Sequence, residues 1–186
     1  MPEAQLYFLT DQYYVDFPDE KLMKNKDMIN GTPHNRPCFF AFPDTHNAKI
    51  YWIVPISSQY EKYKKIEQAK IQKYGSCDTI RFGTVLGRNT AFLIQNMCPA
   101  TGKYLIAYID KKNAPIRIDN RIAEDVSKNA RLVLAKAKRG AKVVFPDIFK
   151  IYQALQQQLQ PEKIDSSDVS DSKPSISGET VEHETN

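Results

Sequence analysis

Hydrophobic positions along the chain form short β-type runs separated by longer helical stripes. The β-type runs are rich in aromatic and β-branched residues and are bounded by turn formers, as strands are. They are residues 6–9, 38–42, 50–54, 79–82 and 91–94. The last two flank Gly83 and the sequence Gly87-Arg88-Asn89, which predicts a hairpin. Residues 104–109 fit either a further strand or a short helix.

The first predicted helix follows the run at residues 50–54. Ser58 and Glu61 have the Ser-x-x-Glu spacing of a capping box, and Gly75 is a typical helix stop. Its apolar residues would share one stripe, with Lys62, Lys65 and Lys73 toward solvent. The predicted stripe consists of Tyr63, Ile66, Ile71 and Tyr74.

Two further helices are predicted in the second half of the chain. One begins after Asp119-Asn120 and ends at Gly140, with an apolar stripe of Ile122, Val126, Ala130, Val133 and Ala137. The other follows Phe145, with Pro146 in its first turn, where proline is tolerated. Successive strands with helices at irregular intervals predict an α+β fold, a mostly antiparallel sheet flanked by helices.

The composition changes near Gln160. Residues 161–186 contain seven acidic residues and two lysines, a net charge of −5, so we expect one domain at residues 1–160 and a disordered acidic tail at residues 161–186. The whole chain carries +4, which leaves +9 on the domain. This charge favours a polyanionic partner such as nucleic acid, and fits a merely basic soluble protein equally well.

Several classes of protein are excluded by residue type. No apolar stretch approaches the roughly 18 residues of a membrane span, and the N-terminus lacks the order of a signal peptide, so we expect a cytoplasmic protein. The three cysteines and three histidines lack the spacing of a disulfide framework or a zinc site, so we expect buried free thiols and no metal or other cofactor. These residues are Cys38, Cys77, Cys98, His34, His46 and His183.

The turn between the third β-type run and the first helix is the leading candidate site. Ser57 and Ser58 lie there, and the helix that follows carries Lys62, Lys64 and Lys65. Hydroxyls, free N–H groups at a helix start and nearby cations together suit a phosphate or an oxyanion. Ser58 acting only as a helix cap explains the same residues.

Other candidates lie outside this turn. Arg36 suits bidentate phosphate binding and His34 suits proton transfer near neutral pH, with a solvated loop as the alternative. Tyr13 suits stacking on a base or packing in the core. Arg81 and Arg88, in or near the predicted hairpin, are candidate RNA ligands.

The chain has no paired-carboxylate, HExxH or GxSxG motif. RNA cleavage by attack of the RNA's own 2′-hydroxyl needs none of them. The substrate supplies the nucleophile, and the protein aligns it, stabilises the phosphorane and moves protons.

In six segments the sequence resembles the endoribonuclease toxins of type III toxin–antitoxin systems, the ToxN/AbiQ superfamily, and most closely its CptN and TenpN-like branch. They are YFLTDQYY (7–14), HNRPCFFAF (34–42), YWIVPISSQYEKY (51–63), YGSCDTIRFGTVLGRNTAFLIQNM (74–97), PIRID (115–119) and RGAKVVFPDI (139–148). The resemblance covers about residues 5–155. It implies a compact, strongly twisted antiparallel sheet related to the SH3-like barrels of Kid and MazF, flanked by helices.

The resemblance also implies an activity and partners. The activity is metal-independent RNA cleavage that leaves a 2′,3′-cyclic phosphate and a 5′-hydroxyl, in phage defence or plasmid maintenance. The partners are target mRNA and an antitoxin RNA of tandem pseudoknotted repeats. The toxin cuts these repeats from a precursor, and they hold it inactive in a closed toxin–RNA hetero-oligomer.

Family members place a Thr/Ser-Ser pair and a lysine at the strand-to-helix turn. The pair matches Ser57 and Ser58, which implies hydrogen bonds to the scissile phosphate. Gln59 and Tyr60 stand where the lysine would be expected. The cationic role is therefore open among Lys62, Lys64, Lys65 and Arg36. The N-terminal tyrosine of some members matches Tyr13, which with His34 is a candidate proton carrier.

Two other functions fit the same residues. One is a non-catalytic RNA-binding module with the same basic groove. The other is a toxin that acts on a protein, since the related barrel fold also hosts gyrase poisons and fold does not determine function.

Deleting residues 161–186 should leave the domain folded and strengthen RNA binding at low salt. The deletion removes a net charge of −5 that opposes a polyanion, and salt screens this repulsion. Thermal unfolding and titration with labelled single-stranded RNA, each on the full and the shortened chain, measure the two effects. A large drop in melting temperature would contradict the expectation of an unpacked tail.

Overall fold

The computed structural model describes residues 4–29 and 32–160, with side chains for all of these except residues 26–29 and 32–34. The predicted tail lies outside the described residues. The elements in chain order are β1 (Leu6–Leu9), α1 (Asp11–Asp16), β2 (Lys26–Ile29), β3 (Thr32–His34), β4 (Pro37–Pro43), β5 (Ile50–Ser57), α2 (Tyr60–Tyr74), β6 (Ile80–Val85), β7 (Arg88–Leu93), β8 (Cys98–Thr101), β9 (Leu105–Ala107), α3 (Asn120–Lys138) and α4 (Ile148–Gln158). The predicted α+β class is confirmed.

Seven strands form one antiparallel sheet in the order β6-β7-β5-β4-β1-β9, with β8 also paired to β5. The first half of β5, Ile50 to Ile53, pairs with β8, and its last residues, Ile56 and Ser57, pair with β7. On its other edge β5 pairs with β4. The sheet does not close on itself, and β2 and β3 form a separate two-stranded sheet.

Helices cover both faces of this sheet because the inner strands are apolar on both sides. Trp52, Val54 and Ile56 of β5 belong to the core beneath α3. Ile50 and Ile53 of the same strand belong to the core that α1 and α4 cover. Ile53 lies between Trp52 and Val54 in sequence and packs on the opposite face, as the two-residue period of β structure requires.

The hairpin and the second predicted helix are confirmed. β6 and β7 are joined by Leu86 and Gly87, whose φ angles of 49° and 73° give the two-residue turn that matches strand twist. In α3, the Asp119 carboxylate caps the helix by accepting from the N–H of Arg121. The predicted stripe of α3 is buried from Val126 to Ala137, and Ile122 is partly buried.

Other sequence predictions need correction. Tyr63 is buried in α2 and Ile66 is partly buried against the same core, whereas Ile71 and Tyr74 are 44% and 67% exposed, so burial of the predicted stripe stops before the last turns of the helix. Pro146 precedes the N-cap residue Asp147 rather than lying in the first turn of α4. Residues 104–109 contain the end of a 3₁₀ turn and the strand β9.

The cysteine prediction is also confirmed. The three cysteines are buried free thiols, as expected. No helix among the described residues is long and apolar enough to cross a membrane.

Arg81 attaches the hairpin to α3. Its Nε lies 3.2 Å from a carboxylate oxygen of Asp125, and its Nη2 donates to the side-chain oxygen of Asn129. Nη1 donates to the carbonyls of Cys77 and Ile80. A guanidinium with its donors in use on several sides holds two elements in a defined relation.

Gly83 of β6 lies directly against Ile122 of α3. A Cβ at this position would lie 2.7 Å from Cδ1 and 2.8 Å from Cγ2 of Ile122. Gly83→Ala should therefore lower the free energy of unfolding by about 1–3 kcal/mol, the range for overpacking. Urea denaturation of Gly83→Ala, Ile122→Ala and the double variant measures it. Losses that simply add in the double variant would contradict the contact.

Candidate active site

A cleft of about 470 Å³ opens where β1, β4, β5 and β7 lie side by side. Ten residues line it: Phe8, Asn35, Arg36, Pro37, Ile56, Ser57, Ser58, Arg88, Thr90 and Tyr108. The cleft thus brings together Ser57, Ser58, Arg36 and Arg88, which the sequence singled out in three separate segments. No carboxylate is among the described residues that line it, so its fixed charge is positive.

The two serines end β5 and begin the turn into α2. Ser57 is only 6% exposed, and its Oγ accepts a hydrogen bond of 3.3 Å from the N–H of Gln59. Ser58 is exposed. The N-cap of α2 is Gln59, which makes no side-chain capping bond. The predicted capping box is therefore wrong, because the helix begins one residue too late for Ser58 to cap it.

The uncapped start of α2 matters for the chemistry of the cleft. Its first-turn N–H groups have no intrahelical carbonyl partner, and the side chain of Gln59 does not accept a hydrogen bond from them. Such N–H groups and the positive end of the helix dipole favour an anion. Ser57 and Ser58 place two hydroxyls directly before this turn.

Arg36 is held in place along the cleft wall. Its backbone N–H donates to Oδ1 of Asn25, its Nε to the carbonyl of Lys24 at 3.3 Å, and its Nη1 to the carbonyl of Ile56 at 3.4 Å. The guanidinium has five donors, so donors remain for a ligand. The Ile56 contact fixes the charge beside the residue that precedes Ser57.

Arg88 supplies the second guanidinium of the cleft. It is the first residue of β7, directly after the hairpin turn, and its side chain is exposed. Thr90, two residues along on the same strand, is buried and donates from its Oγ1 to the Arg88 carbonyl at 3.1 Å. This arrangement leaves a charged side chain at the cleft mouth on an ordered strand.

An aromatic pair forms the wall on the β1 side. The ring centroids of Phe8 and Tyr108 lie 4.6 Å apart with their planes tilted by 47°. The sequence did not point to either ring or to Thr90, and Asn35 appeared only within the segment at residues 34–42. An apolar residue in a strand looks the same in sequence whether it faces a core or a cleft. The run of β-type residues around each ring predicts a strand and does not indicate which surface the ring faces.

The lysines of α2 and Arg81 do not line the cleft. The Lys64 ammonium pairs with Glu67 at 3.0 Å and lies 4.2 Å from the centre of the Phe82 ring, and its hydrogen bond to Glu67 raises the pKa of Lys64. Lys62 and Lys65 are exposed on the same helix. Arg81, predicted as an RNA ligand, instead joins the hairpin to α3, because Asp125 and Asn129 engage its guanidinium.

Tyr13 lies in the core. It is fully buried, its hydroxyl donates to the Pro99 carbonyl at 2.7 Å, and its ring packs against Phe17 and Tyr104. Burial raises the pKa of Tyr13 well above its usual range, which opposes proton transfer near neutral pH. The expected catalytic role is thus corrected to the packing alternative. His34 pairs with Lys26 through its backbone, and its side chain is outside the described set.

Within residues 4–29 and 32–160, no group of three or more histidine, cysteine or carboxylate side chains is arranged to hold a metal ion.

Solved structures with a similar fold come from bacterial antiviral systems. One is AbiQ, a lactococcal anti-phage endoribonuclease belonging to the type III toxin–antitoxin system, with a TM-score of 0.59, 14% identity, and coverage of 84% of this chain and 98% of AbiQ. Another is from a bacterial antiviral system regulated by a processed non-coding RNA, with a TM-score of 0.59, 10% identity, and coverage of 82% and 98%. No family model and no curated protein matches the chain. These likenesses establish a shared fold.

Ser58→Ala should change the free energy of unfolding by no more than about 0.5 kcal/mol, because the side chain is exposed and caps no helix. Asp119→Ala is the matched control, since Asp119 does cap α3 and its loss should cost about 0.5–2 kcal/mol. Urea denaturation of both variants measures the difference. Equal losses in the two variants would mean that Ser58 is needed for the start of α2.

Proposed function

We propose that this chain is an endoribonuclease toxin of a type III toxin–antitoxin system, of the CptN and TenpN-like branch of the ToxN/AbiQ superfamily. The observation that carries the proposal is the cleft, where Ser57, Ser58, Arg36 and Arg88 meet at the start of a helix. The fold shared with AbiQ supports it.

The proposed reaction is cleavage by the RNA's own 2′-hydroxyl. A bond forms between the 2′-oxygen and phosphorus while the bond from phosphorus to the 5′-oxygen breaks. The products are a 2′,3′-cyclic phosphate and a 5′-hydroxyl. A general base takes the proton of the 2′-hydroxyl, and a general acid gives a proton to the departing 5′-oxygen.

Each cleft residue has a role in this reaction. Ser57 and Ser58 donate hydrogen bonds to the non-bridging oxygens of the scissile phosphate. Arg36 and Arg88 stabilise the extra negative charge of the phosphorane. Their guanidinium groups supply the positive charge that a metal ion would otherwise provide. Two arginines, Arg36 from the connection before β4 and Arg88 from β7, thereby take the place of the lysine expected after the serine pair.

Proton transfer and flanking contacts complete the proposal. His34 is our candidate proton carrier, because Asn35 and Arg36, which follow it in sequence, line the cleft. Lys62 and Lys65, exposed on α2, suit contacts with phosphates further along the strand. Such contacts position RNA without reading its sequence.

In the cell, the proposed protein is cytoplasmic and acts in phage defence or plasmid maintenance. Its substrates are target mRNA and the precursor of its own antitoxin RNA. Pseudoknotted repeats cut from that precursor bind the toxin in a closed toxin–RNA hetero-oligomer. An antitoxin that occupies the phosphate cleft would block it in the same way as a product does.

The purified protein should cut single-stranded RNA in excess EDTA, because the proposed charge stabilisation comes from Arg36 and Arg88. Replacing the ribose 5′ to the cut by 2′-deoxyribose should abolish cleavage, since it removes the nucleophile. Arg88→Gln and Ser58→Asp should each lower the rate by roughly 10²–10³-fold, the range for losing one preorganised stabilising group. Single-turnover rates on a labelled oligonucleotide with one mapped cut measure these effects.

Arg139→Gln is the matched control for Arg88→Gln, because Arg139 is exposed at the end of α3 and does not line the cleft. Cleavage that stops with EDTA and returns with Mg²⁺ would overturn the mechanism. Binding without cutting would favour the RNA-binding module. Neither binding nor cutting would favour a toxin that acts on a protein.

A further inference from the structure

Phe8 and Tyr108 are the two large aromatic rings among the described residues that line the cleft. Along β1, Leu6 and Phe8 point to the same face of the sheet. Leu6 is completely buried in the core beneath α3, whereas Phe8 belongs to none of the buried clusters and lines the cleft. Its ring contact is with Tyr108, just beyond β9. Tyr108 is partly buried and packs against the same core. Both rings line the cleft.

Strand pairing sets the spacing between the backbone of β1, which carries Phe8, and the proposed phosphate site at the end of β5. Phe8 pairs with Pro37 of β4, and Cys38, the next residue of β4, pairs with Pro55 of β5. Ile56 therefore lies across from Pro37, and Ser57 is the next residue along β5. Two strand spacings separate β1 from β5, about 10 Å. This distance is of the order that one nucleotide spans from its phosphate to its base.

We infer that Phe8 and Tyr108 form a stacking platform for the base of one nucleotide that flanks the scissile phosphate. The inference rests on the proposed function and adds the position of a base to it. Bases of single-stranded RNA stack on aromatic side chains, and this contact accepts any base because every base has a π-face. The platform therefore acts as a positioning device for the 2′-hydroxyl rather than as a sequence reader.

The platform also accounts for a requirement of the reaction. Attack by the 2′-oxygen needs the oxygen, phosphorus and 5′-oxygen nearly in line, a geometry that a stacked single strand does not hold. Turning one base out onto the rings while Ser57 and Arg36 hold the phosphate fixes the sugar between two anchors. Alignment of this kind is a large part of what an enzyme supplies when the substrate carries its own nucleophile.

The test uses the full-length protein and an RNA oligonucleotide with one mapped cut, in which either flanking nucleotide is replaced by an abasic ribose that keeps its 2′-hydroxyl. With the parent protein, one of the two abasic substrates should be cut roughly 5- to 150-fold more slowly, the effect of losing one base–aromatic stack. Phe8→Leu and Tyr108→Leu should slow cutting of the intact RNA by a similar factor. On that abasic substrate they should be no slower than the parent, because the stack is already absent.

A spectroscopic readout separates stacking from folding and from proton transfer. 2-Aminopurine at the affected position should lose fluorescence on binding to the parent, and Tyr108→Leu should weaken that loss. Tyr108→Phe, which keeps the ring and removes the hydroxyl, should retain both the loss of fluorescence and the abasic penalty. Tyr74→Leu, an exposed aromatic at the end of α2, is the control that should leave both unchanged.

Three results would overturn the platform. In the first, the parent cuts the intact RNA and both abasic RNAs at equal rates. In the second, a ring substitution slows cutting of the abasic RNA by the same factor as cutting of the intact RNA. In the third, Tyr108→Phe cuts the abasic RNA as fast as the intact RNA. In each of these the parent still cuts RNA, so the proposed function stands. A parent protein that cuts no RNA overturns the proposed function, and the platform with it.

Discussion

Pairing and burial of β5 are the constraint on which the other parts of the structure depend. Both faces of this strand are covered, since Trp52 and Val54 pack beneath α3 while Ile50 and Ile53 pack toward α1 and α4. Its edges pair with three other strands. A strand held on all sides ends at a defined point, and the turn at Ser57 and Ser58 begins there. The position of the serine turn is thus set by strand pairing and core packing outside the cleft.

The distribution of cations shows how tertiary contacts divide similar residues into different roles. Arg81 and Arg88 lie on the two strands of one hairpin, yet Asp125 and Asn129 engage the first while the second lines the cleft. Lys64 is paired with Glu67, although its neighbour Lys65 is exposed. A net charge of +9 therefore overstates the positive charge available to a polyanion at the cleft, because the position of each cation decides whether it can contact a ligand there.

Patterns within one element were predictable from sequence. The stripe of α3 follows from its spacing, and the hairpin follows from Gly87. The start of α2 was not predictable in this way. The N–H of Gln59 donates to Oγ of Ser57, an arrangement that competes with the capping box expected at Ser58. The exposure of Ile71 was not predictable either, since an apolar stripe on a helix does not reveal how far along the helix the surface that covers it extends.

The serine turn was predictable because hydroxyls and a helix start lie next to each other in the chain. The residues opposite it were not, since Phe8 and Tyr108 meet only when β1 and β9 pair. Tyr13 shows the reverse case. A tyrosine near the N-terminus suits a core or a site equally well in sequence, and its bond to the Pro99 carbonyl decides between them.

The assembly of the cleft from β1, β4, β5, β7 and the residue after β9 has a consequence for the protein during its own synthesis. A nascent chain that has emerged only as far as β7 contains both arginines and both serines but lacks Tyr108. It also lacks α3, whose burial of Trp52 and Val54 holds β5 in place. The ribosome therefore carries an incomplete cleft until more than half of the chain has emerged, and a fragment that ends before Tyr108 does not contain the complete cleft.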